Sequence, residues 1–283
     1  MPNGIKITAD STCDLSKELL EQYDITLVPL YVVMGEETRK DGVDIRPEDI
    51  YRYVEKTGEI SKTSAASVQD YLDLFRPLVE GGSTVIHINI SAEFSSCYQN
   101  ACIAAEEVGN VYVIDSRNLS TGSGHVVLEA AIRAKQGMPA EQIIEEVRQI
   151  VPKVDASFVL DTLSYLHKGG RCSSVAALGA NLLKLKPCIE VKDGKMGVGK
   201  KFRGALIKCV EQYIDARLEG HLDDIRPERI FITHTACPQE ILDIAWKTVK
   251  KYGYFAEIIE TTAGCTITNH CGPATLGILY IHR

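Results

Sequence analysis

The sequence TVIHINISAEFSSC, residues 84–97, joins a strand-like run to a loop that is rich in hydroxyls. Thr84–Ile90 is apolar and β-branched, which is typical of a buried strand. Tyr98–Val108 then predicts a helix, and Val111–Asp115 predicts the next strand. A strand, a helix and a second strand in succession indicate a parallel sheet covered by helices.

The alternation of strand and helix signals continues on both sides of this segment. Strands are predicted at Gly4–Asp10 and Thr26–Met34, and one-sided apolar patterns predict helices at Leu15–Tyr23, Pro47–Lys56, Val68–Val79, Thr121–Lys135 and Pro139–Val151. Ser67 and Asp70 resemble a capping box in front of the Val68 helix. The first half of the chain therefore predicts a parallel, covered sheet.

The second half carries a different pattern. Asp193-Gly194 separates two strand-like runs, Cys188–Lys192 and Lys195–Val198, and predicts a β-hairpin. The other predicted elements are helices at Ser174–Lys184, Lys208–Leu218 and Gln239–Tyr252, and strands at Ala156–Asp161, Arg229–His234, Ala256–Thr261 and Leu276–His282. We therefore expect a single α/β domain of two closely packed lobes with a ligand groove between them: an N-terminal parallel-sheet lobe at 1–155 and a C-terminal α/β lobe with a hairpin at 156–283.

The composition indicates an ordinary globular protein. The 283 residues are 24% charged and 45% hydrophobic, and the net charge of −7 disfavours nucleic-acid binding. No apolar run reaches the length of a membrane-spanning helix. Because residues 1–4 lead into a strand without a signal-peptide pattern, we expect a cytoplasmic protein.

Neither a metal nor a cofactor is predicted. The nine cysteines are scattered without a Cys-x-x-Cys pair, which favours reduced thiols in the core. Residues 121–125, TGSGH, follow a strand and open a helix, as a dinucleotide-binding loop does. However, Val127 occupies the third glycine position of the Gly-x-Gly-x-x-Gly fingerprint. Close helix packing is the better explanation for these two glycines.

Two hydroxyl-rich segments, 62–67 and 91–97, lead into helices and are suited to hold an anion. The candidate ligand-binding residues in them are hydroxyls that could bond a ligand oxygen: Thr63, Ser64, Ser95 and Ser96. Serine and threonine at such places also cap helices and form turns, and this alternative stays open for each of them. Neither segment has a histidine or lysine placed to activate a nucleophile, which favours binding over bond cleavage.

Two other functions stay open. A serine acyl hydrolase can be assembled from Ser95, His270 and Asp115, although the Gly-x-Ser-x-Gly elbow is missing. A sensor of a small anion, without lipid, is the third hypothesis. His270 precedes Gly272-Pro273, and we expect a histidine held by this turn to face the groove and bond an anion.

Two short basic patches interrupt this acidic chain. Lys168 and Arg171 form one, and Lys200, Lys201 and Arg203 form the other. The simpler interpretation is solvated surface. The alternative is a docking face for an acidic partner or a phosphorylated product.

Taken in order, the motifs of this chain resemble the DegV family of bacterial fatty-acid-binding proteins. The segments that carry the resemblance are Ile7–Leu15, Lys62–Ser67, Ile90–Ala101, Tyr165–Arg171, Leu185–Pro187 and His270–Pro273. Together they span essentially the whole chain. The resemblance implies two α/β lobes that enclose one long-chain fatty acid, such as palmitate.

The resemblance also implies roles for single residues. It implies that hydroxyls at Thr63 and Ser95 hold the carboxylate, with His270 nearby. It further implies a carrier without chemistry of its own, which presents the acid to a separate fatty acid kinase that makes acyl phosphate for phospholipid synthesis. On this hypothesis the candidates for kinase docking are Lys168, Arg171, Lys200 and Arg203.

Overall fold

The computed structural model describes residues 4–176 and 185–283, and within them the strands form three sheets. The strands are β1 Ile5–Asp10, β2 Ile25–Val28, β3 Tyr31–Met34, β4 Glu37–Lys40, β5 Lys62–Ser64, β6 Thr84–Asn89, β7 Val111–Asp115, β8 Val154–Leu160, β9 Leu185–Lys192, β10 Lys195–Arg203, β11 Arg229–Thr235, β12 Glu257–Thr262 and β13 Thr275–Ile281. The helices are α1 Lys17–Gln22, α2 Pro47–Thr57, α3 Val68–Glu80, α4 Cys97–Val108, α5 Ser120–Lys135, α6 Ala140–Ile150, α7 Ser164–Gly169, α8 Ser173–Ala176, α9 Leu206–Leu218, α10 Gln239–Lys250 and α11 Cys265–Cys271.

The first sheet is the predicted parallel one. Its strand order is β2-β1-β6-β7 and every pair is parallel. Helices α3, α4, α5 and α6 all contact β6, which explains the continuous apolar run of that strand. The capping box of α3 is present, since the Asp70 amide donates to Ser67 Oγ and the Ser67 amide donates to Asp70 Oδ2.

The prediction of one strand over Thr26–Met34 is wrong. Pro29 lacks the N–H group that a sheet requires, and the chain leaves the parallel sheet after β2. It continues as β3, the middle strand of a small antiparallel sheet with the order β4-β3-β5. Strands β4 and β5 have four and three residues, too few for an alternating pattern to show. Strand β5 carries Thr63, so this small sheet positions a predicted ligand-binding residue.

The second large sheet has the order β10-β9-β8-β13-β11-β12. Its pairs are antiparallel except for β11 and β12, which are parallel. The predicted hairpin is confirmed and longer than expected, because β10 runs on to Arg203. Asp193 and Gly194 have φ angles of 51° and 81°, the positive values that a two-residue hairpin turn requires.

Helix α5 lies between the two large sheets. It contacts β1 and β6 on one side and β8, β11 and β13 on the other. Its first twelve residues, 120–131, are all buried, and all except His125 and Glu129 are small or aliphatic. A Cβ atom at Gly124 would come within 2.7 Å of the Cys13 carbonyl oxygen, so close packing explains this glycine. The predicted α/β class, with a parallel-sheet lobe and a second sheet lobe, is confirmed.

The helix predicted over Ser174–Lys184 is seen only as α8, and the remainder lies outside the described residues. The division into lobes 1–155 and 156–283 stays a prediction. Across the two described ranges, no helix combines the length and apolar character that crossing a bilayer would require.

Candidate functional site

A cavity opens between the small sheet, the loop after β6, and helices α7 and α11. Most of its wall is apolar, and the polar side chains that line it come from four separate segments. The apolar lining is Leu30, Ala65, Ile90, Phe94, Leu119, Leu166, Met196, Ile267 and Cys271. The polar lining is Thr63, Ser64, Ser95, Arg171, Thr266 and His270. We call this space the head cavity.

Four of the five predicted ligand-binding residues therefore lie in one wall: Thr63, Ser64, Ser95 and His270. Ser96 does not line the head cavity. It is exposed and faces a neighbouring surface groove, together with Glu93 and Lys195.

Thr63 and His270 are in direct contact. Thr63 Oγ1 lies 2.7 Å from His270 Nε2, although the two residues are 207 positions apart in sequence. Strand β5 presents Thr63 half-buried toward the cavity, while its neighbours Lys62 and Ser64 are exposed. The contact makes the hydroxyl and the imidazole one polar unit in the wall of the head cavity.

His270 lies on helix α11, and the prediction that a turn holds it is wrong. Within the described part of the chain its Nδ1 has no hydrogen-bond partner, and the ring rests against Gly169 of α7. Burial, with a smaller contribution from the charge of Arg171, lowers the pKa of His270 to about 4. The imidazole is therefore neutral at pH 7.

Ser95 belongs to the loop between β6 and α4. Its Oγ accepts from the Cys97 amide at 3.3 Å and donates to Cys97 Sγ at 3.1 Å. Asp10 fixes the start of this loop, because its buried carboxylate accepts from the Ile90 amide at 2.8 Å. Ser91 closes the other side of the loop by donating to the Gly194 carbonyl of the hairpin at 2.8 Å.

Among the residues of the two predicted basic patches, Arg171 has a distinct position. Arg171 lines the head cavity, where its guanidinium donates to the carbonyls of Gly169 at 2.9 Å and Phe94 at 3.4 Å. Among the described residues it forms no salt bridge. Lys168, Lys200 and Arg203 are exposed. Arg171 is exposed too, as the sequence indicated, but its place in the cavity wall was not predicted.

The hydrolase alternative has no support in this geometry. His270 Nε2 is occupied by Thr63, and Ser95 bonds Cys97 rather than an imidazole. Asp115 accepts from the Arg117 amide at 2.7 Å and from the Ala92 amide at 3.3 Å. Burial raises the pKa of the Cys97 thiol to about 12, so this sulfur is not a base at neutral pH either. The predicted triad is therefore not assembled.

A second, smaller cavity adjoins the head cavity. Leu119, Ile267 and Cys271 line both of them. The second cavity continues between β8, β11 and β13, where Phe158, Leu279 and Ala263 are part of its wall. We call it the inner cavity. In the described ranges, no three His, Cys, Asp or Glu side chains are grouped as metal ligands would be.

The fold and the cavities define a class of α/β binding proteins with a parallel-sheet lobe, a second sheet lobe and adjoining cavities of apolar and hydroxyl side chains. A family described as "Uncharacterised protein, DegV family" matches residues 4–283. The chain belongs to the DegV family.

Known relatives extend over nearly the whole chain. A DegV domain-containing protein of Caldanaerobacter subterraneus is 32% identical over 278 residues, which is 98% of each protein. The structure of a fatty-acid-binding DegV family protein from Thermus thermophilus has a TM-score of 0.88 at 28% identity, covering 99% of this chain and 100% of that one. A stearic-acid-binding protein from Eubacterium ventriosum has a TM-score of 0.85 at 29% identity, covering 98% of each chain. The predicted family is confirmed.

Proposed function

We propose that this chain binds one long-chain fatty acid, with the carboxylate at Thr63 and Ser95 and the acyl tail in the apolar space beyond them. The observation that carries the proposal is the head cavity itself, where two hydroxyls and a neutral histidine lie in a mostly apolar wall. Solved relatives that bind fatty acids have the same fold over nearly their full length. The apolar lining counts against a sensor for a short, polar acid.

His270 has a specific part in this proposal. A carboxylate only accepts hydrogen bonds, so Thr63 must donate its hydroxyl proton to the ligand. Thr63 is free to do so if it accepts from His270, which requires the neutral imidazole to carry its proton on Nε2. The 2.7 Å contact and the lowered pKa of His270 fit this arrangement. His270 then orients Thr63, and Thr63 bonds the ligand.

Ser95 and Arg171 complete the environment of the carboxylate. Ser95 Oγ now donates to a thiol, which is a weak acceptor, so a carboxylate oxygen is a better partner for the same proton. Arg171 brings a positive charge to the same cavity. This charge compensates part of the cost of burying the carboxylate.

The tail supplies most of the affinity. Burial of each CH₂ group contributes about 0.8 kcal/mol, so a sixteen-carbon chain gains on the order of 12 kcal/mol before the costs of association. The inner cavity gives the tail room beyond Leu119 and Ile267. Such a ligand would survive purification.

We further propose that the bound acid is presented to a fatty acid kinase. The head cavity shares Phe94, Ser95, Arg171 and Met196 with the exposed groove that Ser96 lines, so the carboxylate end is the end near the surface. Lys168, Lys200 and Arg203 could steer an acidic partner toward this groove. Presentation to an ATP-dependent kinase would place the protein in the cytoplasm and link it to phospholipid synthesis.

The decisive experiment is organic extraction of the purified protein followed by mass spectrometry. We expect about one long-chain acid per chain, with palmitate, stearate or an unsaturated acid of similar length as the candidates. Protein that is empty and also fails to bind added palmitate and oleate would refute the proposal.

Variants at the hydroxyls test the assignment of the carboxylate site. Thr63→Val and Ser95→Ala should each weaken palmitate binding by roughly 1–3 kcal/mol, the usual cost of losing a hydrogen bond to a charged group. Ser96→Ala, outside the head cavity, is the matched control and should bind as the wild type does. Unchanged affinity in both Thr63→Val and Ser95→Ala would reject the assignment.

A further inference from the structure

Helix α11, which carries His270, begins with amide groups that donate to two carboxylates from the start of the chain. The Gly264 amide donates to Asp14 Oδ1 at 2.8 Å. The Cys265 and Thr266 amides donate to the two oxygens of Asp41 at 2.8 and 3.0 Å. The first turn of a helix has no internal partners for these groups, and a helix of seven residues is marginal by itself. The two carboxylates therefore determine where α11 begins.

Both carboxylates are buried and held in place. Asp14 is 6% exposed and also accepts from Ser120 Oγ at 2.5 Å. Asp41 is 4% exposed and also accepts from Ser11 Oγ at 3.3 Å. A Cβ atom at Gly264 would stand 3.2 Å from Asp14 and 3.4 Å from Asp41, so the two acids converge on the same point of the backbone. The caps are rigid parts of the core.

The other end of α11 is tied to the same part of the chain. Asn269 Nδ2 donates to the Ser61 carbonyl at 3.0 Å, and His270 contacts Thr63. From Thr266 to His270 the helix rises only about 6 Å at roughly 1.5 Å per residue. A displacement of the first turn of α11 should therefore also displace the imidazole of His270.

We propose that Asp14 and Asp41 are positioning residues of the fatty-acid site: by capping α11 they hold His270 at hydrogen-bond distance from Thr63. The inference rests on the proposed function, since it assigns these acids to the binding of the ligand carboxylate. It explains how Asp14 and Asp41, from the first part of the chain, and helix α11, near its end, together place His270 against Thr63.

The test combines a structural and a binding measurement. ¹⁵N NMR of the histidine side chains in ligand-free protein reports the tautomer of His270, and titration with palmitate reports affinity. Asp14→Ala and Asp41→Ala should shift the His270 signal and weaken palmitate binding about 10-fold, the scale of a lost helix cap. Asp215→Ala is the matched control, because its carboxylate accepts from Tyr252 and neither residue lines the head cavity or the inner cavity.

The asparagine variants give a graded result and keep the test valid if the alanine variants do not fold. Asp41→Asn replaces one accepting oxygen by an NH₂ group that cannot accept from α11, whereas Asp14→Asn keeps an oxygen for Gly264. Asp41→Asn should therefore disturb the His270 signal and the affinity more than Asp14→Asn does.

The inference would be overturned by capping variants that fold and retain both the wild-type His270 signal and wild-type affinity. Because the NMR signal is read without ligand, a wild type that binds no fatty acid would remove the proposed function but leave the positioning of His270 decided by that signal.

Discussion

The sharpest prediction concerns Gly169, the residue against which the His270 ring rests. A Cβ atom placed on Gly169 would lie 2.3 Å from His270 Nδ1, whereas ordinary contacts begin at 3.4 Å. In Gly169→Ala the ring must therefore move by about 1.1 Å, the difference between these distances. It cannot simply retreat toward Thr63, because that contact is already 2.7 Å. The ring must turn away, and the hydrogen bond to Thr63 is lost.

The size of the effect follows from this geometry. One hydrogen bond of this kind contributes about 1 kcal/mol, and its loss also leaves Thr63 free to turn away from the ligand. We expect the affinity for palmitate to fall about 10-fold, which corresponds to about 1.4 kcal/mol. The backbone of Gly169 is not in the left-handed region, so alanine adds no backbone strain, but the forced displacement of the buried ring should lower the free energy of unfolding by about 1–3 kcal/mol.

The assay is palmitate binding by calorimetry, beside thermal unfolding and the His270 ¹⁵N signal. Gly197→Ala is the matched control, because a Cβ atom there would meet nothing within 4 Å. A double-mutant cycle with Thr63→Val should show that the two losses are not additive, since both remove the same contact. The reasoning fails if Gly169→Ala binds palmitate like the wild type with an unchanged His270 signal.

Three further predictions can be checked on the same material. Burial lowers the pKa of His270 from 6.5 to about 4, so between these values the unfolded chain binds a proton more readily than the folded chain does. The ligand-free protein should therefore lose at most about 3 kcal/mol of its free energy of unfolding as the pH falls from 6.5 toward 4. Denaturant unfolding of His270→Gln across this range should lack that loss. Ala263→Leu should fill part of the inner cavity and weaken stearate more than laurate in competition binding; equal weakening of both acids would show that the tail does not reach this space. Ser67→Ala should lower the free energy of unfolding by about 1 kcal/mol through loss of the α3 cap, whereas Ser64→Ala should not; equal stability of the two variants would contradict the assigned cap.

The elements that could be predicted are those whose own sequence determines them. Strand β6 has a continuous apolar pattern, and helix α3 has a one-sided apolar pattern and a local capping box. The hairpin turn has residues that tolerate positive φ. Helix α11 gave no such signal, because the groups that cap it are Asp14 and Asp41, more than 200 residues away. Short elements that depend on distant partners are not visible in a local pattern.

The same distinction applies to the site. Thr63 and Ser95 were candidates from their position before helices and His270 from the turn that follows it, and the family resemblance implied the same three residues; their role in binding stays a prediction. The contact between His270 and Thr63 could not be predicted, because α11 meets β5 only in the folded chain. Arg171 is exposed as expected, but nothing in a local run of basic residues tells which one also lines a cavity. Ser95 and Ser96 are the same residue type, and only the structure shows that Ser95 lines the head cavity whereas Ser96 does not.

The chemistry of the head cavity agrees with a carrier whose ligand must later react elsewhere. A bidentate arginine would bind a carboxylate more strongly than hydroxyls do, but it would occupy both oxygens and stabilise their charge. Thr63 and Ser95 are neutral donors, and the Nη1 and Nε groups of Arg171 donate to the carbonyls of Gly169 and Phe94. On the proposed function, the carboxylate is therefore held firmly enough to stay bound, while an oxygen keeps the lone pairs needed to attack a phosphoryl group. On the proposed function, a protonated histidine would hold the carboxylate charge more tightly, so burial of His270 in its neutral form would favour the later transfer.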